Sequence, residues 1–191
     1  GFAFIYQPDH FQLAENLIIY REEIGKRPPL ASMELIWTAH KNKHLLISGF
    51  VHTPTERRHW KTLKLLGEVD IITVKGLEGS IDFSTKTRSI ATHIQNNTEK
   101  KIIINPIDYK YKNDDYPLNS LTEWQKQALE ALNNQGPLKK SLCWNAGMYL
   151  WLSGITDSLE NGLNKACTIL ESGLARNTLE KLINWRKSID Y

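Results

Sequence analysis

The sequence predicts an α/β fold, and three patterns carry the prediction. Two unbroken apolar runs flank a helical stretch, short alternating segments follow Gly76, and the last third holds a succession of helix caps and stops. The first run, His44-Leu45-Leu46-Ile47-Ser48-Gly49-Phe50-Val51, has the character of a strand covered on both faces, and Val69 to Val74 is the second. Between them Thr53-Pro54-Thr55-Glu56 opens a helix, with a cap at Thr53 and proline in the first turn. That helix should run to Leu66 and stop at Gly67. Strand, helix and strand at this spacing form a βαβ unit with parallel strands.

Ahead of this unit, Leu13, Leu17 and Tyr20 share one face of a helix from about Asp9 to Ile24, closed by Gly25 and stopped by Pro28-Pro29. Ala31 to Trp37 reads as a further helical turn or two. After Gly76, Ser80 to Phe83, Arg88 to Gln95 and Lys101 to Asn105 alternate like an antiparallel meander, with a turn at Asn96-Asn97. Its exposed face should carry Arg88, Lys100 and Lys101. Asp108 to Ser120 is polar and irregular. Ser120 and Glu123 then form a capping box for a helix carrying Leu129 and Leu132, ended by Gly136-Pro137. Leu138 to Leu152 is apolar around most of its circumference, so this helix should be buried. Gly154 ends it, Asp157 or Ser158 caps another helix through Leu170, and Gly173 separates that from a last segment, Thr178 to Lys187. The architecture expected is a small parallel sheet, a β meander and a helix-rich C-terminal end.

Composition narrows the function classes. The 191 residues carry 24 Lys plus Arg against 21 Asp plus Glu, a net charge of +3 that demands neither nucleic acid nor a membrane. Two cysteines, Cys143 and Cys167, are too few for a disulfide scaffold and lack metal-ligand spacing, which fits a reducing, cytoplasmic setting. No apolar run approaches the ~20 residues of a membrane span, and no signal peptide precedes the first element. The chain opens on Gly1 rather than Met, which reads as a piece of something longer.

Lys75-Gly76-Leu77-Glu78-Gly79-Ser80 is the segment most suggestive of chemistry. It leaves the C-terminal end of a parallel strand, where open α/β sheets place ligands. Its glycines would let backbone approach a phosphate, with Lys75 supplying charge and Glu78 a carboxylate for Mg²⁺. A glycine-rich connection between strand and meander explains the same residues. Arg21, near the end of its helix with Lys26 and Arg27, suits either the helix dipole or a carboxylate or phosphate ligand. The six histidines show no metal pattern, there is no G-x-S-x-G elbow, and the six tryptophans fall mostly at helical positions where core packing is the commoner role. Asn145 stands out inside a buried helix: its amide needs partners, so it either ties two elements together or points into a site.

Taken in order, these segments resemble the anthranilate phosphoribosyltransferase family (glycosyltransferase family 3), in a divergent TrpD-like branch. Gly1-Phe2-Ala3-Phe4 is similar to the family's G-x-x-F segment, and Arg21-Glu22-Glu23-Ile24-Gly25 to its R-x-x-x-G helix end. Lys43 to Thr53 is similar to its strand and helix start, and Val74-Lys75-Gly76-Leu77-Glu78 to its V-H-G-x-L-D-E turn. The meander from Thr87-Arg88 to Asn105-Pro106-Ile107-Asp108-Tyr109 follows the family pattern too. Gly136-Pro137-Leu138, Trp144-Asn145-Ala146-Gly147, Ser158-Leu159-Glu160-Asn161-Gly162, Ser172-Gly173 and Leu179-Glu180-Lys181-Leu182 complete the likeness. The order and spacing carry it, not any single motif.

The resemblance implies a phosphoribosyltransferase-type α/β domain over residues 1–191, N-terminally incomplete, without the N-terminal helical domain or the phosphate-binding part. It implies transfer of phosphoribosyl from phosphoribosyl pyrophosphate to an aromatic amine with Mg²⁺, in tryptophan biosynthesis, by a homodimer when full length. Catalysis in that chemistry rests on stabilising the leaving diphosphate and positioning the amine. Arg21 would grip the acceptor carboxylate, His10 would stand for the loop histidine, Lys75 and Gly76 would form the phosphate turn, and Glu78 would be a metal ligand. Three departures stand against a simple transfer of roles. Gly79 replaces the second carboxylate of the metal pair, Glu22 follows Arg21 where the family has a second arginine, and Pro28-Pro29-Leu30-Ala31-Ser32-Met33-Glu34 replaces G-P-L-x-N-P. Because the resemblance places the glycine-rich phosphate loop and the diphosphate contacts in the preceding part of the family sequence, the isolated chain is expected not to bind the sugar diphosphate as the family does. Non-catalytic nucleic-acid binding on the same fold is the alternative, with basic residues scattered rather than gathered in a stripe.

Overall fold

A computed structural model describes residues 3–25, 36, 38 and 40–189. The chain divides into two compact units, residues 1–81 with 92–100, and residues 82–91 with 101–191.

In the first unit the expected helix before Gly25 is broken into three pieces, α1 (Gln7–His10), α2 (Gln12–Glu15) and α3 (Ile18–Ile24). The first break is at Phe11, whose φ of −134° and ψ of 64° are not helical, and the second at Asn16-Leu17, where the Leu17 N–H bonds Ala14 three residues back. Gly25 closes α3 in the left-handed region at φ 63°, as its sequence position predicts. The readings at Lys26, Arg27, Pro28-Pro29 and most of Ala31 to Trp37 lie outside the described residues.

The βαβ unit forms as expected. Strand β1 (Leu46–Gly49) and strand β2 (Asp70–Val74) are parallel, with Leu46 opposite Ile71 and Gly49 opposite Val74. Helix α4 (Thr53–Leu65) connects them, with His52 rather than Thr53 at its cap position and Pro54 in its first turn. Ile36, Leu46, Leu63, Ile71 and Ile94 form the core of this unit, with Trp60 packed against it. Leu63 is fully buried, so its truncation to alanine would cost about 2–5 kcal/mol.

The meander supplies two strands, not three. Strand β3 (Ser89–Gln95) and strand β4 (Thr98–Ile104) are joined at Asn96-Asn97, both at positive φ (49° and 64°), the backbone a two-residue hairpin requires. The sheet is mixed, in the order β1-β2-β3-β4. Arg88, Lys100 and Lys101 are exposed as expected, although the first four residues of β4 are all exposed rather than alternating. Ser80 to Phe83 is not a strand, for a reason that lies with Asn145.

The second unit is mostly helical: α5 (Leu121–Leu132), α6 (Lys139–Leu152), α7 (Leu159–Glu171) and α8 (Leu174–Lys187). Ser120 caps α5 by accepting from the Glu123 N–H at 3.1 Å, but the Glu123 carboxylate accepts from Gln127 at 2.7 Å instead of closing the box. Ser158 caps α7, and Asp157 beside it accepts from the Asn161 side chain at 2.6 Å. The last helix begins four residues earlier than its polarity pattern suggests, at Leu174. Helix α6 is the buried one, through Cys143, Trp144, Gly147, Met148 and Leu152. Trp144 is enclosed with the Tyr109 and Tyr111 rings against it, whereas Trp124 and Trp185 are exposed.

Helices α6 and α7 cross at glycine. A β-carbon on Gly147 would sit 2.8 Å from the Leu163 Cα, and one on Gly162 would collide with the Gly147 carbonyl. Only hydrogen at both positions lets the backbones come this close.

Candidate functional site

The site follows from how β1 and β2 end. Their register brings Gly49 level with Val74, and the Phe50 N–H bonds the Val74 carbonyl at 2.9 Å, so both strands finish at one edge. From there the chain runs through Lys75 and Gly76 into a single 3₁₀ turn, Leu77–Gly79. The Gly79 N–H bonds the Gly76 carbonyl at 3.2 Å and the Ser80 N–H bonds the Leu77 carbonyl at 2.9 Å. Glu78 is held at φ 51° and Gly79 at φ 86°. A side chain other than glycine, asparagine or aspartate is uncommon there and costs on the order of 1 kcal/mol.

The turn lies against the end of β1. A β-carbon on Gly49 would collide with the Gly79 carbonyl, and one on Gly76 would collide with the Ser80 carbonyl. The room left by these two glycines is therefore filled by the chain's own backbone. Gly49 has no role in the sequence reading, although glycine inside a strand is the signal for such an approach. The turn leaves the side chains of Lys75 and Glu78 exposed at the carboxyl edge of the parallel pair.

Of the expected site residues, the fold thus gathers Lys75, Gly76 and Glu78 on one turn. His10 ends α1 and is exposed, and Arg21 lies in the last turn of α3, half-buried. The donor set does not make a metal centre by itself. Glu78 offers one exposed carboxylate, Gly79 offers none, and among the described residues no three His, Cys, Asp or Glu side chains converge on one point.

Beneath α4 lies a buried polar network that the sequence reading missed. Ser48 and Thr73 are opposite one another in the β1–β2 register. The Thr73 hydroxyl donates to the buried Glu56 carboxylate at 2.7 Å and accepts from the Trp60 indole at 3.1 Å. Ser48 Oγ is 3.4 Å from His59 Nδ1, and His59 Nε2 is buried without a hydrogen-bond partner. Burial lowers the His59 pKa from its usual 6.5, favouring the neutral ring. Glu56, His59 and Trp60 occupy successive positions on the face of α4 turned to the strands, so the network fixes that helix over the sheet. Its signal in the sequence is polar residues at core-facing positions of the helix and of both strands.

On β3, the strand beside β2, His93 Nε2 lies 2.6 Å from Asp70 Oδ1, and the Gln95 amide donates to Asp70 Oδ2 at 3.0 Å. These contacts pin the start of β2 to the end of β3.

No family model matches the chain. Curated proteins do. The anthranilate phosphoribosyltransferase of Dechloromonas aromatica (strain RCB) is 25% identical over 191 residues, 98% of this chain and 56% of that protein. The chain resembles the anthranilate phosphoribosyltransferases. It spans about half the length of the curated relatives it matches. Solved anthranilate phosphoribosyltransferases share the fold. A Saccharomyces cerevisiae variant with Mg bound superposes with a TM-score of 0.74 over 98% of this chain and 56% of its own, at 18% identity. The Saccharomyces cerevisiae enzyme in complex with PRPP and Mg gives 0.67 over 91% of this chain and 51% of its own, also at 18% identity. No helix among the described residues is long and apolar enough to cross a membrane.

Proposed function

We propose that this chain forms part of a phosphoribosyltransferase that transfers phosphoribosyl from phosphoribosyl pyrophosphate to the nitrogen of an aromatic amine bearing a carboxylate, with diphosphate as the leaving group. The likeness to curated anthranilate phosphoribosyltransferases over 98% of the chain is the observation that carries this reading. The turn at the carboxyl edge of the β1–β2 pair supports it, because that is where open α/β sheets receive ligands.

In this reading residues 1–191 are one portion of a larger α/β domain, and each site residue has a limited task. Lys75, exposed on the turn, meets the negative charge of the departing diphosphate. Arg21 holds the acceptor carboxylate with its planar fork, and His10, on the same run of short helices, borders the acceptor. Gly76 shapes the turn that carries Lys75. Glu78 is the one carboxylate this chain offers towards Mg²⁺, and since it does not build a metal site alone, no step is assigned to a metal here.

Calorimetric titration of the full-length protein with phosphoribosyl pyrophosphate and Mg²⁺ tests the reading, with single-stranded DNA titrated in parallel at two salt concentrations. Saturable binding of the sugar diphosphate is expected. DNA binding that weakens with salt, without any sugar-diphosphate binding, would replace the transferase by a nucleic-acid-binding module.

A further inference from the structure

The seam between α6 and α7 holds the chain's two cysteines face to face. Gly147 touches Leu163 where the helices cross. One turn back along α6 is Cys143 and one turn on along α7 is Cys167, so in this antiparallel pair the two fall opposite one another. Their sulfurs are 3.2 Å apart, and both are free thiols. The glycine crossing explains the proximity, since backbones brought together at Gly147 and Gly162 are still close one turn away. The Tyr111 hydroxyl lies 3.3 Å from the Cys167 sulfur.

We propose that Cys143 and Cys167 are a dithiol site that a hydroperoxide converts reversibly to an intramolecular disulfide, stapling α6 to α7. The sulfurs need to approach by about 1.2 Å to reach bonding distance. Cys167 is half-buried whereas Cys143 is buried, and burial pushes the Cys143 thiol up to about 12. Cys167 is therefore the residue that meets the oxidant. Its thiolate attacks the terminal peroxide oxygen, the O–O bond breaks, and the alcohol or water derived from the peroxide leaves Cys167 as a sulfenic acid. Cys143 then attacks that sulfur. The S–O bond breaks, the oxygen departs as water with the Cys143 proton, and the S–S bond forms. Two thiols have lost two electrons and two protons, and the peroxide has accepted them. An external dithiol reverses the change by thiol–disulfide exchange. The phenol of Tyr111, placed on Cys167, can donate to the sulfur as it becomes anionic.

The test uses the purified full chain with hydrogen peroxide, followed by thiol alkylation and intact-mass measurement. Both thiols should disappear together, with a mass about 2 Da lower, no covalent dimer, and full recovery after dithiothreitol. The melting temperature of the oxidised form should rise by roughly 5 °C or more, as expected for closing a loop of this length. In Cys143→Ala the reaction should stop at a Cys167 sulfenic acid that dimedone traps, at least tenfold more than in the unaltered chain. In Cys167→Ser, which changes the more open position, Cys143 should stay unoxidised under the same exposure. Thiols that oxidise only to covalent dimers, or dimedone labelling equal in the unaltered chain and Cys143→Ala, would overturn the proposal. So would Cys143 oxidising in Cys167→Ser as fast as Cys167 does in Cys143→Ala.

Discussion

The side-chain amide of Asn145 pairs with the backbone of Phe83 as one strand pairs with another. Its Oδ1 accepts from the Phe83 N–H at 2.7 Å, and its Nδ2 donates to the Phe83 carbonyl at 3.2 Å and to the Ser141 carbonyl at 3.0 Å. Phe83 is buried, with its ring 5.3 Å from that of Tyr149. Helix α6 thereby holds the extended segment before β3 through a side chain.

Replacing Asn145 by alanine strands both backbone groups of Phe83 in the second unit's interior. The expected loss is about 2–3 kcal/mol, measured by urea denaturation. Asn145→Asp keeps the acceptor but sets an acceptor-only carboxylate oxygen against the Phe83 and Ser141 carbonyls, so it should be no more stable than alanine. An alanine variant as stable as wild type would mean that water replaces the amide.

The same pairing explains where the sequence misleads. Ser80-Ile81-Asp82-Phe83 alternates like a strand, but its hydrogen-bonding partner at Phe83 is an amide sixty-two positions away, and alternation cannot distinguish that from a neighbouring strand. What was legible rests on local chemistry. The βαβ unit follows from two apolar runs around a proline-started helix, the hairpin from Asn96-Asn97, and the caps from Ser120 and Ser158. The break at Phe11 was not legible, because nothing local forbids a helix there. In the candidate site, the turn from Lys75 to Ser80 could be seen in the sequence. Gly49, a glycine inside a strand, signals a close backbone approach but not which segment makes it, because the carbonyl it accommodates is thirty positions away.

Gly147→Ala separates packing from intrinsic preference. Alanine favours a helix interior over glycine by about 1 kcal/mol. At Gly147 the added methyl meets the Leu163 backbone, with its Cα at 2.8 Å and N at 2.9 Å. A net destabilisation of roughly 1–3 kcal/mol is expected. Gly154→Ala is the comparison: nothing lies within 4 Å of its β-carbon, but its φ of 74° disfavours alanine, at a cost of about 1 kcal/mol. If Gly147→Ala proves stabilising, the α6–α7 crossing is looser than these contacts require.

His59 should make stability fall in acid. Burial lowers its pKa in the folded state, so the unfolded chain takes up a proton that the folded chain refuses. Its contribution is full above about pH 6.5, the unfolded value, and is lost as pH falls through the depressed folded value. His59→Gln should flatten that part of a stability–pH curve, read from urea midpoints between about pH 5 and 8. An unchanged slope would assign the acid sensitivity to other groups.

Lys75 and Glu78 share the turn but should respond differently to substitution. Glu78→Gly removes a side chain from left-handed backbone and should raise stability by up to about 1 kcal/mol. Lys75→Ala, at an exposed position, should leave stability within about 0.5 kcal/mol. If Lys75 meets diphosphate, the same change should weaken sugar-diphosphate binding by the full-length protein about tenfold. Equal binding by Lys75→Ala and wild type would remove Lys75 from the site.

Substituting Arg21 tests whether the proposed acceptor is held through a carboxylate. Arg21 sits in the last turn of α3, ahead of the Gly25 cap, where a cation also suits the helix dipole. The two roles part on measurement. A guanidinium that grips a carboxylate contributes a charge-assisted pair, and its loss in Arg21→Ala should weaken binding of an aromatic amine bearing a carboxylate by about 10- to 100-fold in the full-length protein. Arg21→Lys should recover only part of the affinity, because a point charge cannot reproduce the planar fork. A cation that only answers the dipole gives the opposite pattern: stability falls by about 0.3–1 kcal/mol, lysine restores it, and acceptor affinity does not move.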